Sequence, residues 1–265
     1  MVFFIKMQNL EFKRTAKKLA QAFNSGKVIN PISTKFTKNS KIANAFRVEC
    51  ESLIKSPVIG FKAGGTGIAM LKKLGEKEPF YASIFKKNLL KSGGSVKINK
   101  YTLGIELEVF FQIKKSLFKS KAKVTEKNIS KFASHMGPCI EVVGYRQKKK
   151  GLKYLGDLSS DFGANVKFLI GKKQKFKKIQ FSNLATTIYN KKSGQIANGN
   201  TKAVYDSPIK SLVWLLNKIK KDGVILSKDF LVFTGSTVGV VPIQKIGLFK
   251  GEIKSLGSVQ AVIKN

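Results

Sequence analysis

The sequence predicts an α+β protein in which a helical first third precedes a β-rich body. Two observations carry this. Apolar residues recur at roughly helical spacing up to Ile54, and after Pro79 they form short or alternating runs split by Gly, Asn and Lys. A third is the return of helical spacing late in the chain, over Pro208 to Lys221.

Taken in order, Leu10, Phe12, Ala16, Leu19, Ala20 and Phe23 mark a first helix that Asn24-Ser25-Gly26 ends. Ile42, Ala45, Phe46, Cys50 and Leu53 mark a second, over Ile42 to Ile54, before Pro57 stops it. Val58 to Lys62 reads as a short strand running into a loop over Ala63 to Gly67. Strands are then expected over Ser95 to Ile98, Tyr101 to Ile113, Ile140 to Val143, Val166 to Ile170 and Phe230 to Phe233. The late helix turns Leu212, Leu215, Leu216 and Ile219 to the core, with Asp206 or Ser207 as its cap and Gly223 at its end. The Lys-rich stretches Lys148 to Lys153 and Lys172 to Lys178 read as hairpin tips. No repeat or low-complexity linker interrupts the chain, so residues 1–75 are expected to form a helical region packed on a body of residues 76–265, as one structural unit.

With 265 residues and 43% hydrophobic content, the chain can fill a sizeable core. Its formal net charge is +35, a field that favours polyanions, anionic membranes or small anionic substrates. Only Arg14, Arg47 and Arg146 supply the guanidinium forks that nucleic-acid readers use, and the lysines are spread through nearly every segment, so a solvated surface is the expectation and nucleic acid is disfavoured. Cys50 and Cys139 make neither a disulfide framework nor a zinc spacing, which suits a reducing cytoplasm and small buried side chains. The start MVFFIKMQNLEF has too short an apolar run for a signal peptide, and no segment approaches the length of a membrane span.

A single histidine, His135, excludes a multi-His zinc site. The 15 acids are scarce, which makes their placement informative. Glu106 and Glu108 lie two apart in a segment that reads as strand, so both carboxylates point to one face. Held roughly 4 Å apart they would repel by several kcal/mol at an effective dielectric of about 20, a cost that a bound cation removes. Oxygen ligands of this kind suit Mg²⁺ or Mn²⁺. On spacing alone the alternative is a solvated strand face, the commoner arrangement. Glu141 adds a third acid, in an apolar strand where an unpaired charge is costly.

Around these acids the chain carries a series of short fragments in order. Asn24 to Pro31 is similar to a G-x-x-I-x-P turn, and Val58 to Thr66 to a G-[YFW]-K-x-G-x-T motif. Ile105 to Phe111 is similar to the E-x-E strand, Ile140 to Arg146 to A-x-E-V-V-x-S-R, and Leu158 to Gly171 to the A-D-N-x-S segment leading to F-x-L-G. Pro208 to Asn217 resembles P-x-x-x-x-x-W-L-x-N, and Asp229 to Ser236 resembles D-x-x-x-T-G-S. The order of these fragments is more specific than any one of them, and through it the chain resembles the 2-keto-4-pentenoate hydratase branch of the fumarylacetoacetate hydrolase superfamily.

The resemblance implies a mixed β-sandwich roll behind an N-terminal helical region, with Glu106, Glu108 and Glu141 as ligands of Mg²⁺, or of Mn²⁺ in its place. It implies that Lys62 faces the substrate, that Lys62 or Asp161 moves protons, and that Thr66 and the Thr234-Gly235-Ser236 turn shape the site for the substrate carboxylate. The expected reaction is hydration of a 2-hydroxy-2,4-dienoate to a 4-hydroxy-2-oxo acid in catabolism. A 2-oxo-3-enedioate decarboxylase and an acylpyruvate hydrolase use the same head group and are the alternatives. A small anionic 2-oxo acid and further copies of the chain are the expected partners. The chain departs from the family at Phe80 and Gly144, where acids are common, and at Phe162, where the A-D-N segment has Asn.

Overall fold

The computed structural model describes residues 2–265, with side chains from residue 10 onward. Met1 and the side chains of residues 1–9, on which the reading of the chain start rests, lie outside the described residues.

Helices α1 (Val2–Ser25) and α2 (Ser40–Ser52) come first, followed by β1 (Val58–Gly64) and the short α3 (Ile68–Lys73). Strands β2 (Phe80–Phe85), β3 (Leu89–Lys91), β4 (Ser95–Lys97), β5 (Thr102–Ile113) and β6 (Ala133–Gly144) lead to α4 (Leu155–Ser159). Then come β7 (Asn165–Ile170), β8 (Gln174–Lys175), β9 (Ala185–Asn190), β10 (Gln195–Asn200), α5 (Pro208–Lys221), β11 (Phe230–Ser236), β12 (Gly247–Ile253) and β13 (Gly257–Lys264). The large sheet has the order β2-β1-β11-β5-β6-β7-β3, with β8 also pairing with β6; the small sheet runs β10-β9-β12-β13-β4. Both are mixed, since β1 runs parallel to β11, β3 to β7 and β4 to β13.

Strand alternation sorts the side chains of the large sheet onto two faces. Ile105, Leu107, Val109, Phe111 and Ile113 of β5 join Ile140 and Val142 of β6 in the core shared with Ile188, Phe249 and Val259 of the small sheet. Leu212, Leu215, Leu216 and Ile219 of α5 seal that core, and Ser207 caps the helix through Ile209 N. The even-numbered residues of β5 point the other way. There Phe110 meets Ile84, Cys139, Phe168 and Phe233, and the acids share this face. Next to it α1 and α2 bury Leu19, Phe23, Phe46 and Cys50 against Phe85 and Phe162. Arg47 fastens α2 to β2: it pairs with Glu51, which accepts from Ser83 N and Oγ, and its guanidinium lies 4.7 Å from the Tyr81 ring centroid.

β1, where a strand is expected over Val58 to Lys62, is an interior strand between β2 and β11. Several sequence expectations are corrected. Residues Lys148 to Lys153 connect β6 to α4 and are not a hairpin tip. Lys172 to Lys178 contains β8, an edge strand whose Lys175 pairs with His135; the lysines there mark an exposed edge, not a turn. β6 is twelve residues long, not four, because Ser134-His135 and Gly137-Pro138 break the apolar run without breaking the strand. Cys50 and Cys139 are free and buried, and no described helix is long and apolar enough to cross a membrane.

The packing between the sheets makes a direct prediction. Leu107→Ala should lower the urea unfolding free energy by about 2–5 kcal/mol, whereas Ile196→Ala, at a residue 64% exposed, should change it by less than about 0.5 kcal/mol.

Candidate metal centre and cavity

β5 and β6 pair antiparallel in a register that sets Glu106 opposite Glu141, and Glu108 opposite Cys139. Like charges directly opposite on adjacent strands destabilise a sheet. Here the strain is compounded, because one carboxylate oxygen from each of Glu106, Glu108 and Glu141 lies within 4.8 Å of the others. Glu108 and Glu141 are wholly buried. The structure thus brings together the three acids that sequence reasoning singled out.

Lys62 of β1 reaches the same place. Its Nζ donates to both oxygens of Glu141, at 2.6 and 2.7 Å, and to the Gly163 carbonyl at 3.3 Å. Burial works to strip the proton from this ammonium, but Glu141, Glu106 and Glu108 outweigh it and hold the Lys62 pKa above the ordinary lysine value. Burial and then the Glu141 charge push Glu106 up to about 7, against Lys62. Burial likewise pushes Glu108 up to about 7, although Lys62 opposes it. With all three carboxylates ionised, one ammonium leaves two negative charges, the amount a divalent cation neutralises. Glu108 Oε1 is buried with no hydrogen-bond partner. An acceptor left in that state is expensive, and a cation is what an all-carboxylate donor set would take up. The residues present therefore fit a hard divalent ion.

A β-bulge aims Glu108. Between Phe233↔Phe110 and Ser236↔Glu108, β11 advances three residues against two on β5. The bulge turns Gly235 N towards Glu108 Oε2, to which it donates at 2.9 Å. Only glycine suits this position: its φ is +108°, and a Cβ would sit 2.1 Å from Thr66 Oγ1. The Thr234-Gly235-Ser236 turn, expected to offer backbone donors to a substrate carboxylate, has the following partners within the protein. The Gly235 amide serves Glu108, Thr234 Oγ1 donates to the Val109 carbonyl, and Ser236 Oγ donates to the Gly239 carbonyl. Gly235, Ser236 and Thr66 line the cavity above the acids; Thr234 is not among its lining residues.

Asp161, a candidate proton carrier, is also not among the lining residues. Its Oδ2 accepts from Arg146 N and Gln147 Nε2, and its Oδ1 accepts from Arg146 Nη1, so both oxygens are committed. Its carbonyl accepts from Ala164 N, closing a turn in which Phe162, Gly163 and Ala164 all have positive φ. The Gly163 carbonyl in that turn is the one that meets Lys62. Asp161 thus positions backbone. Its partner Arg146, one of only three arginines, had no role in the sequence reading, and its rarity was the available signal.

The cavity has a volume of about 580 Å³. Lys62 and Glu106 lie at its polar end, and Met70, Leu103, Leu158 and Val240 are among its apolar walls. Tyr145 also lines it, with its hydroxyl donating to the Gly151 carbonyl at 2.8 Å. A polar end beneath apolar walls is the usual form of a small-molecule site.

No family model matches the chain. Curated relatives do. A 2-keto-4-pentenoate hydratase of Paraburkholderia xenovorans is 20% identical over 254 residues, covering 94% of this chain and 93% of that protein. One from Burkholderia vietnamiensis is 24% identical over 253 residues, covering 93% and 95%. Among solved structures, 4-oxalocrotonate decarboxylase from Pseudomonas putida, complexed with magnesium and adipate, superimposes with a TM-score of 0.81 at 18% identity, covering 97% of this chain and 98% of that one. Over nearly its whole length the chain is similar to 2-keto-4-pentenoate hydratases, and it shares its fold with 4-oxalocrotonate decarboxylase. A second solved structure of similar fold, fumarylpyruvate hydrolase from Pseudomonas aeruginosa in complex with Mn²⁺ and pyruvate, matches 78% of this chain and 90% of its own at a TM-score of 0.56 and 14% identity.

The three positions at which this chain departs from the hydratase motifs are built into its packing. The Phe80 ring lies against Gly64, where a Cβ would be 2.3 Å from its Cζ. Phe162 is buried with its ring centroid 4.3 Å from that of Phe23. A Cβ at Gly144 would lie 2.9 Å from Thr102 Cα, so an acid there requires the start of β5 to move.

The raised carboxyl pKa values fix the sign of a pH effect. Groups whose folded pKa is raised favour the fold below the ordinary carboxylate range and withdraw that support as pH rises through about 7. The melting temperature of the metal-free protein should therefore fall by several degrees between pH 5.5 and 8, and saturating Mg²⁺ should cancel the fall, because ionised ligands bind it. A calorimetric pH series with EDTA or Mg²⁺ checks both arms.

Proposed function

We propose that the chain is a Mg²⁺-dependent hydro-lyase, with Mn²⁺ as an effective substitute, that hydrates a 2-hydroxy-2,4-dienoate to a 4-hydroxy-2-oxo acid. The observation that carries this reading is the juxtaposition of Glu106, Glu108, Glu141 and Lys62, of which Glu106 and Lys62 line the polar end of an otherwise apolar cavity. The hydratase names of the curated relatives support it.

Glu106, Glu108 and Glu141 would hold the cation, whose Lewis acidity draws charge onto the 2-oxygen of the substrate. The remaining work falls to the chain itself. Lys62 keeps a proton on Nζ at neutral pH, because three carboxylates face it, and it stands where the substrate's acidic head enters. It carries the proton that the 2-hydroxyl loses and the terminal carbon gains. The resulting conjugated ketone accepts the oxygen of water at C4 and a proton at C3. Glu141 and the Gly163 carbonyl fix the direction of the Lys62 ammonium, and Asp161 with Arg146 holds the turn that presents Gly163. The apolar walls keep the diene in place and limit water to what the reaction consumes.

Purified protein with Mg²⁺ should bleach the absorbance of 2-hydroxypenta-2,4-dienoate and yield 4-hydroxy-2-oxopentanoate. EDTA should abolish turnover, Glu106→Gln should lower kcat/KM at least about 10³-fold, and Lys62→Met should lower kcat by about 10²–10⁴-fold. Turnover that survives chelation, or that Lys62→Met leaves intact, would overturn the proposal.

A further inference from the structure

The cavity is larger than the simplest dienoate needs. 2-Hydroxypenta-2,4-dienoate has eight heavy atoms; at no more than the ~30 Å³ that a water occupies in the liquid, they fill less than about 240 Å³. That is under half of the 580 Å³ present. The additional volume is apolar. Met70, Phe80, Leu103, Leu152, Leu158 and Val240 wall it, and they come from α3, β2, β5, the β6–α4 connection, α4 and the segment after β11. Two of these residues remain open to solvent, with Leu152 36% and Val240 46% exposed.

Charge is confined to one end. Among the described residues, Lys62 and Glu106 are the only Lys, Arg, Asp or Glu that line the cavity, and Lys62 is already engaged by Glu141. A second carboxylate placed among the apolar walls would lose its hydration without gaining a partner. The Phe80 ring, held against Gly64 and within 3.3 Å of where a Gly163 Cβ would stand, keeps that wall apolar right up to the neighbourhood of Lys62.

We infer that the substrate is a monocarboxylic 2-hydroxydienoate bearing a bulky apolar substituent, such as a propyl chain or a phenyl ring, at the end remote from its carboxylate. Phe80, Leu152, Leu158 and Val240 select for that substituent. The inference rests on the reading that the acid head binds beside Lys62 and Glu106, and it deepens that reading.

Binding of unreactive saturated 2-oxo acids to the full chain in Mg²⁺, measured calorimetrically, tests it independently of turnover. Kd should tighten about fourfold per methylene from 2-oxopentanoate to 2-oxooctanoate, and 2-oxo-5-phenylpentanoate should bind at least tenfold more tightly than 2-oxopentanoate. The dicarboxylate 2-oxohexanedioate should bind no better than 2-oxopentanoate. In turnover, 2-hydroxy-6-phenylhexa-2,4-dienoate should exceed 2-hydroxypenta-2,4-dienoate in kcat/KM, and Val240→Asp or Leu158→Asp should reduce that ratio at least tenfold. A Kd that is flat with tail length, or tightest for the dicarboxylate, overturns the inference even if the short dienoate is hydrated. Tail-dependent binding without turnover of any dienoate would overturn the hydratase reading, and the dienoate as substrate, while leaving the selection for an apolar tail; no binding by any of these acids would overturn both.

Discussion

Two surplus negative charges beneath a layer of apolar side chains are the constraint on which the rest of this site depends. Glu106 and Glu141 face each other across β5 and β6, Glu108 stands two residues along the same face, and Lys62 offsets only one of the three. A sheet would not keep like charges opposed in this way without something to bind between them. The unpartnered Oε1 of Glu108 makes the same point at the level of one atom. The arrangement is stable in proportion to what neutralises it, which couples metal binding, pH and folding in one cluster.

The surrounding architecture is arranged to keep that cluster in place. Alternation along β5 hands one face to the inter-sheet core and the other to the acids, so the hydrophobic packing of Ile105, Leu107 and Val109 fixes the direction of Glu106 and Glu108. The bulge in β11 converts a ladder amide into a donor for Glu108. The buried Arg146–Asp161 pair performs a similar service at one remove: it holds the left-handed Phe162–Ala164 turn whose Gly163 carbonyl steers Lys62. Charged residues are few among the acids, and several of those few are spent on such buried pairs. The +35 surplus follows largely from lysines spread over the chain.

How much of this was legible in the sequence depended on the strength of the local pattern. Helix α5 was readable from Pro208 to Lys221 because its cap, its apolar spacing and Gly223 agree. β5 was readable because its alternation is nearly unbroken. β6 was seen only in part, since Gly137-Pro138 looks like an interruption, and β10, with Asn198 and Gly199 in its six residues, gives no apolar run at all. The small sheet joins two local hairpins, β9–β10 and β12–β13, through pairings of β9 with β12 and of β4 with β13 that no local window contains. At the site, spacing gave Glu106 and Glu108 as a pair, but it could not show that Glu141 lies opposite one of them, because that is a fact of register. Nor could it show that Asp161 is occupied by Arg146, or that Gly235 spends its amide on Glu108. Those depend on bulges and left-handed turns that the residue types permit without specifying.

The central claim is that the three glutamates form one cation site. Crystals soaked with Mn²⁺ and measured at a wavelength with strong manganese anomalous scattering test it most directly. The account predicts a single strong anomalous peak per chain within bonding distance of Glu106, Glu108 and Glu141 carboxylate oxygens. A peak bound elsewhere, or no peak at saturating Mn²⁺ with Glu141 still paired to Lys62, would contradict it.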